Sequence, residues 1–263
     1  MEKLAFNILQ ILEEKNSCGE RYVSPDIDTF KNLDESFNIQ IDNVYYEVII
    51  ELDSSYIWFS FDFGRTSPRD EKLTNILTGE KRDNEREPVE AELIQQFFCL
   101  YIYSTKSFFI SNLKKKNVFQ AVLKSKLNKN FCLKTIYKTQ EEFINIINSI
   151  QKISFTHLTN IFSHDSKKRQ ALIDLTGTDA PENFTIEATY EKSKILDFVL
   201  DLLNSKDSYK DLVITGLDES NFEVVFNNDT FNKKIEVKAI KNENGKYCSN
   251  QIKEGLLKEI DEK

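Results

Sequence analysis

Residues 97–110 place the tightest constraint on the fold. Phe97-Phe98-Cys99-Leu100-Tyr101-Ile102-Tyr103 is a run of seven apolar or aromatic residues, and Phe108-Phe109-Ile110 follows it after the polar Ser104-Thr105-Lys106. Both runs are short and rich in the aromatic and β-branched types that fit a pleated surface, so the segment reads as a β-hairpin. A chain built round such a hairpin is a sheet protein.

The rest of the chain supplies the other elements. Leu4 to Leu12 suits either a buried strand or a short helix. Pro25 and Asp26 start a short helix running through Leu33. Phe37 to Leu52 and Tyr56 to Phe63 read as two strands joined by Asp53-Ser54-Ser55, and Gly64 to Pro88 as a long polar loop with one helical turn. Phe119, Val122, Leu123 and Leu127 mark a helix, followed by a strand at Phe131 to Tyr137. Thr139 and Glu142 form a capping box that opens a helix with Phe143, Ile146, Ile147 and Ile150 on one stripe. Strands are expected at Ile153 to Leu158, Phe184 to Tyr190, Leu212 to Leu217, Phe222 to Phe226 and Ile235 to Ala239. Helices are expected at Ile195 to Leu203 and from Ser249 to near Glu262. This irregular interleaving points to an α+β fold with mostly antiparallel sheets, in two subdomains. The boundary falls where composition turns from basic to acidic, giving a β-rich domain at 1–140 and an acidic α+β domain at 141–263.

Composition excludes several function classes. With 7 Gly and 4 Pro in 263 residues, connections are short, and neither a P-loop nor a dinucleotide fingerprint is present. No apolar run approaches the roughly 20 residues that cross a bilayer, and Met1 to Leu12 lacks the features of a signal peptide. Cys18, Cys99, Cys132 and Cys248 are isolated, which suits free thiols in a reducing cytoplasm. His157 and His164 lack Cys, Ser or His partners nearby, so neither a zinc site nor triad chemistry is expected, and no cofactor is implied.

Charge carries the most functional information. The net charge is −8, yet no Asp or Glu occurs between Leu93 and Gln140, where an even spread would place about eight. That window holds nine lysines, at 106, 114, 115, 116, 124, 126, 129, 134 and 138. Clustered ammonium groups displace counterions from a phosphate backbone, giving salt-sensitive and sequence-tolerant binding. The nucleic-acid-binding candidates are therefore Lys114, Lys115, Lys116, Lys124, Lys126 and Lys129. The competing explanation is that they solubilise an aromatic-rich sheet. Four of the six arginines, Arg65, Arg69, Arg82 and Arg86, fall within 22 residues. The loop carrying Arg65 and Arg69 interleaves guanidinium and hydroxyl groups as a phosphate clamp would, although Asp70, Glu71, Glu80, Asp83 and Glu85 could instead pair these arginines among themselves.

A second chemistry is suggested near the C-terminus. Glu236 and Lys238 project from one face of a strand, and with Asp229 or Asp218 upstream they are similar to the Asp…Glu-x-Lys core of the PD-(D/E)xK nucleases. That resemblance implies Mg²⁺-dependent phosphodiester hydrolysis. The closing strand of that fold is missing from the pattern, and an amphipathic strand gives the same alternation.

The order of elements resembles that of the RexA phage-exclusion family and related abortive-infection proteins. The similarity is carried by the 97–110 hairpin, the charged segment Asn75 to Glu92 before it, the helix Lys116 to Leu127 after it, the Ile144 to Phe155 unit and the Leu212 to Glu259 end. It implies a non-enzymatic, cytoplasmic antiphage defence protein that contacts DNA with little sequence preference. It also implies a homodimer and a partner protein within a defence system. A protein-interaction module whose acidic half engages a basic partner is the third alternative.

Overall fold

The apolar segment at the N-terminus is a strand because both of its edges are hydrogen-bonded. The computed structural model describes residues 2–15, 21–135, 140–156, 170, 173–174, 183–204, 210–227 and 234–261. In it β1 spans Glu2–Lys15. One flank of β1 pairs antiparallel with β15 (Lys234–Ala239) and then β10 (Phe131–Thr135); the other pairs with β9 (Ser107–Ile110) and then β2 (Arg21–Val23). Beyond β9 the sheet continues through β8 (Gln95–Ile102), β5 (Tyr56–Arg65), β4 (Val44–Leu52) and β3 (Ser36–Ile41), which makes a nine-stranded, curled antiparallel sheet. The fold class is α+β.

Alternation along each strand divides the apolar side chains between two cores. Leu9, Ile11, Phe59, Phe61, Phe97, Cys99, Tyr101 and Phe108 lie on one face, covered by α1 (Ile27–Phe30) and α2 (Lys116–Leu127) through Phe30, Phe119, Val122 and Leu123. Phe6, Ile8, Trp58, Phe98, Leu100 and Phe109 lie on the other, covered by α5 (Ser249–Asp261) through Ile252 and Leu256. Because both faces are covered, the strand at 97–102 is apolar throughout and does not alternate. Phe61 stacks on Phe97 with ring centroids 4.1 Å apart, and Phe119 meets Phe59 edge-on at 5.0 Å. Such pairs add about 1 kcal/mol each beyond area burial.

A second sheet, ordered β12 (Asn183–Glu191), β11 (Ser149–Thr156), β13 (Lys210–Leu217), β14 (Glu223–Asn227), packs with α3 (Gln140–Ile146) and α4 (Lys192–Asn204). Its core holds Phe143, Ile147, Ile153, Val199, Leu202, Ile214, Val224 and Phe226.

Four expectations need correction. The strand expected over Phe37 to Leu52 is two strands, β3 and β4, turned at Asp42 and Asn43, both at positive φ. The stripe from Phe143 to Ile150 is not one helix: α3 ends at Ile146, which is exposed, and Ile150 lies on β11. Within the loop expected at 64–88 stands a two-stranded ribbon, β6 (Lys72–Thr74) with β7 (Lys81–Asp83). The second sheet does begin just past residue 140, but β15 and α5 return to the first sheet, so 141–263 is not one structural unit. Thr139 of the capping box, Cys18, His157, His164 and Asp229 lie outside the described residues.

Candidate nucleic-acid interface

The basic ribbon divides into two parts with different fates. At its C-terminal end the ammonium groups meet carboxylates. Lys129 lies 2.6 Å from Glu13, whose side chain is 1% exposed, and Lys126 lies 3.8 Å from Asp34 while capping the ring of Phe37 at 4.0 Å. Lys134 pairs with Asp218 at 3.6 Å and rests on Phe222, and Lys106 pairs with Glu223 at 2.9 Å. Glu223 opens β14 and Asp218 lies in the turn before it, so Lys106 and Lys134 tie the second sheet to the first. Asn227 adds to this junction through Thr105 and Ser107, as does Gln10 through the Glu223 carbonyl. Lys126 and Lys129 are therefore committed to counter-ions and are not available in the way the charge run suggests.

The N-terminal end is arranged differently. Leu113–Lys115 forms a 3₁₀ turn, capped by Asn112, that leads directly into α2. Lys114 and Lys116 are exposed, as is Lys124 farther along α2, and no carboxylate pairs with any of these three among the described residues. No acidic side chain lies in the first turn of α2 and no side chain caps it. The helix dipole and the lysines thus add positive potential at the same place, where acidic residues are the usual choice.

Lys115 turns back over the sheet. Its ammonium lies 3.9 Å from the ring centre of Phe63, 5.2 Å from that of Tyr46, and 3.1 Å from the Tyr46 hydroxyl. Burial, reinforced by the charge of Arg65, lowers its pKa from the ordinary lysine value. Arg65 sits at the end of β5 opposite Val44, on the same sheet face as Phe63. Lys115, Phe63, Val44 and Arg65 line a cleft of about 350 Å³ together with Arg86, Ser67 and Glu92. Arg86 donates to the Thr66 carbonyl at 3.2 Å, while its Nε is buried without a hydrogen-bond partner. Gly64 is required at the cleft floor, because a Cβ there would come 2.0 Å from the Glu92 carbonyl oxygen. The 87–94 segment can lie against β5 only over a glycine.

Arg69 is placed beside the cleft but is structurally engaged. Its guanidinium donates to the carbonyls of Arg86 at 2.5 Å and Asn84 at 2.6 Å, bracing the base of the β6–β7 ribbon. Arg82 lies 3.8 Å from Glu85 on the surface. Arg86, which the charge pattern noted without assigning a site, is the arginine that joins Arg65. The signal that could have found it is the close sequence clustering of the four.

The nuclease constellation is not assembled among the described residues. Glu236 accepts from Lys3 at 2.7 Å across the β1–β15 pair. Asp218 caps its own turn through the backbone N–H groups of Ser220 and Phe222. No group of three or more His, Cys, Asp or Glu among the described residues could hold a metal ion. No helix among them is long and apolar enough to cross a membrane.

A scan against known protein families finds no match for this chain, and a search of curated proteins finds none either.

Proposed function

We propose that this protein binds nucleic acid, DNA with little sequence preference, through the cleft lined by Arg65, Arg86 and Lys115 and the adjoining Lys114 and Lys116. The observation that carries this reading is the convergence of two guanidinium groups and one ammonium on a single cleft. Guanidinium forks suit phosphate oxygens, and Arg65, Lys114 and Lys116 are exposed where a phosphate backbone can reach them. Lysines at a helix N-terminus oppose the dipole, a local conflict of the kind expected at functional sites. The overall acidity then keeps the rest of the surface from competing for the polyanion. The likeness in element order to the phage-exclusion proteins supports an antiphage setting for this grip, with no catalytic step.

An electrophoretic shift series tests the reading, using single- and double-stranded DNA and RNA at two salt concentrations. The expected result is retention that weakens with salt and is lost when Arg65, Lys114 and Lys116 are changed together to Glu. Absence of any shift at low salt, or full binding by the triple variant, overturns it.

A further inference from the structure

The cleft is small against the polymer proposed for it. Its volume of about 350 Å³ lies at the low end of small-molecule sites, whereas the major groove alone of a duplex is about 12 Å wide. A duplex can lie across it, but only about one nucleotide of a strand can enter. The walls divide by chemistry. Val44 and Phe63, each 5% exposed, form an apolar side, and Arg65, Arg86 and Lys115 supply the cations. Glu92 is the one carboxylate among the lining residues, so three cations less one anion leave two positive charges. Asp42 acts on the Tyr46 hydroxyl from outside that lining. None of the three cations forms an ion pair with a carboxylate among the described residues. At Lys115 the consequence is direct: burial and the charge of Arg65 both push its pKa down, and no carboxylate opposes them.

We propose that the cleft takes the terminal phosphomonoester of a nucleic-acid strand in preference to an internal phosphodiester, with Lys114 and Lys116 holding the strand that leads away; this rests on the nucleic-acid reading of the cleft and names the strand end as its ligand. An internal phosphate carries one negative charge. A phosphomonoester carries about −1.5 to −2 at pH 7 and offers three acceptor oxygens, which matches the charge the lining leaves uncompensated. Donors are in supply for those oxygens. Lys115 uses one N–H on the Tyr46 hydroxyl and Arg86 uses one on the Thr66 carbonyl, so each keeps others free of these two contacts. Ser67 adds a hydroxyl. The shape favours an end as well. An internal segment must enter and leave, whereas a terminus needs one opening, and the floor at Gly64 is closed by the Glu92 backbone. A phosphate carries no base information, so gripping an end is consistent with little sequence preference.

The test is fluorescence anisotropy of the full-length protein with one short single-stranded DNA of fixed sequence, internally labelled. The strand carries a 5′-phosphate, a 3′-phosphate or hydroxyls at both ends. At least one phosphorylated strand is expected to bind about tenfold more tightly than the hydroxyl strand, through added charge-assisted hydrogen bonds. The double variant Arg65→Gln, Lys115→Met is expected to bind all three strands alike, and Arg65→Gln alone to lose part of the preference. Arg65 is exposed and Met keeps an apolar stem over Phe63, so melting temperatures should match the parent. Equal binding of the three strands by the parent overturns the strand-end assignment and leaves the cleft reading standing; no binding of any strand overturns the cleft reading itself. A preference that survives in both variants overturns the placing of the end in this cleft. Inorganic phosphate and a deoxynucleoside monophosphate, titrated as competitors, are expected to displace the phosphorylated strand only weakly. Either one competing as tightly as the strand itself overturns the strand end in favour of a free phosphate ligand.

Discussion

Lys129 holds its ammonium 2.6 Å from Glu13, a carboxylate in the middle of the large sheet that is 1% exposed. Lys15 at 3.0 Å and the Thr29 hydroxyl at 2.8 Å complete the shell. Lys129 therefore belongs to the fold. Replacing it with Ala should cost about 2 kcal/mol, less than for an isolated buried pair because Lys15 remains. DNA retention should be unaffected, and chemical denaturation beside a mobility shift separates the two effects.

The same carboxylate gives a pH dependence. Burial alone would raise the Glu13 pKa, but hydrogen bonds from Lys129, Lys15 and Thr29 outweigh it and hold the group below its ordinary value of 4.5. A depressed carboxyl contributes stability that is complete above the unfolded value and lost as pH falls through the folded one. Denaturant midpoints measured downward from pH 6 should fall below about pH 4.5. In Glu13→Gln that portion of the decline should be absent.

Salt dependence checks the phosphate contacts one by one. Each lost contact on duplex DNA lowers the slope of log affinity against log salt by about 0.9. Arg65→Ala with Lys114→Ala and Lys116→Ala should reduce the slope by about 3, whereas Lys126→Ala with Lys129→Ala should leave it unchanged. Equal reductions in both variants would mean that the two ends of the ribbon act alike.

Gly64→Ala should destabilise the protein by about 2 kcal/mol or more and weaken DNA binding. The new methyl group collides with the Glu92 backbone, which must move away from β5 and take the cleft wall with it. Ser60→Ala, a buried position four residues earlier on the same strand, should affect binding little. Thermal melts and shifts on the two variants make the comparison.

The junction of the two sheets can be measured through Lys106 and Glu223. Their side chains are 24% and 8% exposed, and Ser24 N–H also donates to Glu223 at 3.3 Å. Lys106→Met alone should cost about 2 kcal/mol because it strands the carboxylate. Adding Glu223→Gln should restore part of that, a coupling visible in a double-mutant cycle by urea unfolding.

What the sequence made legible was local. Asp26 was readable as a helix cap and does accept from Thr29 N–H at 3.1 Å, although α1 stops at Phe30, short of Leu33. The hairpin at 97–110 and the helix from Ser249 were readable from composition and capping residues. The ribbon at 72–83 was hidden because its three-residue strands show no alternation and bury nothing. The fate of the lysines was hidden for a different reason. Glu13 and Lys129 are 116 positions apart, as are Lys106 and Glu223 within one residue, and charge counting along the chain cannot see counter-ions supplied from such distances. Arg65 and Lys115 converge only because β5 and the turn before α2 share one sheet face, which no linear spacing announces.

The pairing of β1 with β15 has a consequence for biosynthesis. Glu2 to Asn7 align with Ala239 to Lys234, so this half of one β1 flank stays open until residue 239 has been made, long after β10 can close the half at Leu9 to Glu13. Contacts of such high order form slowly, and open strand edges attract other strands. The nascent chain therefore depends on a late closing event, and a premature stop anywhere before residue 234 leaves an unsealed seam for aggregation or chaperone capture.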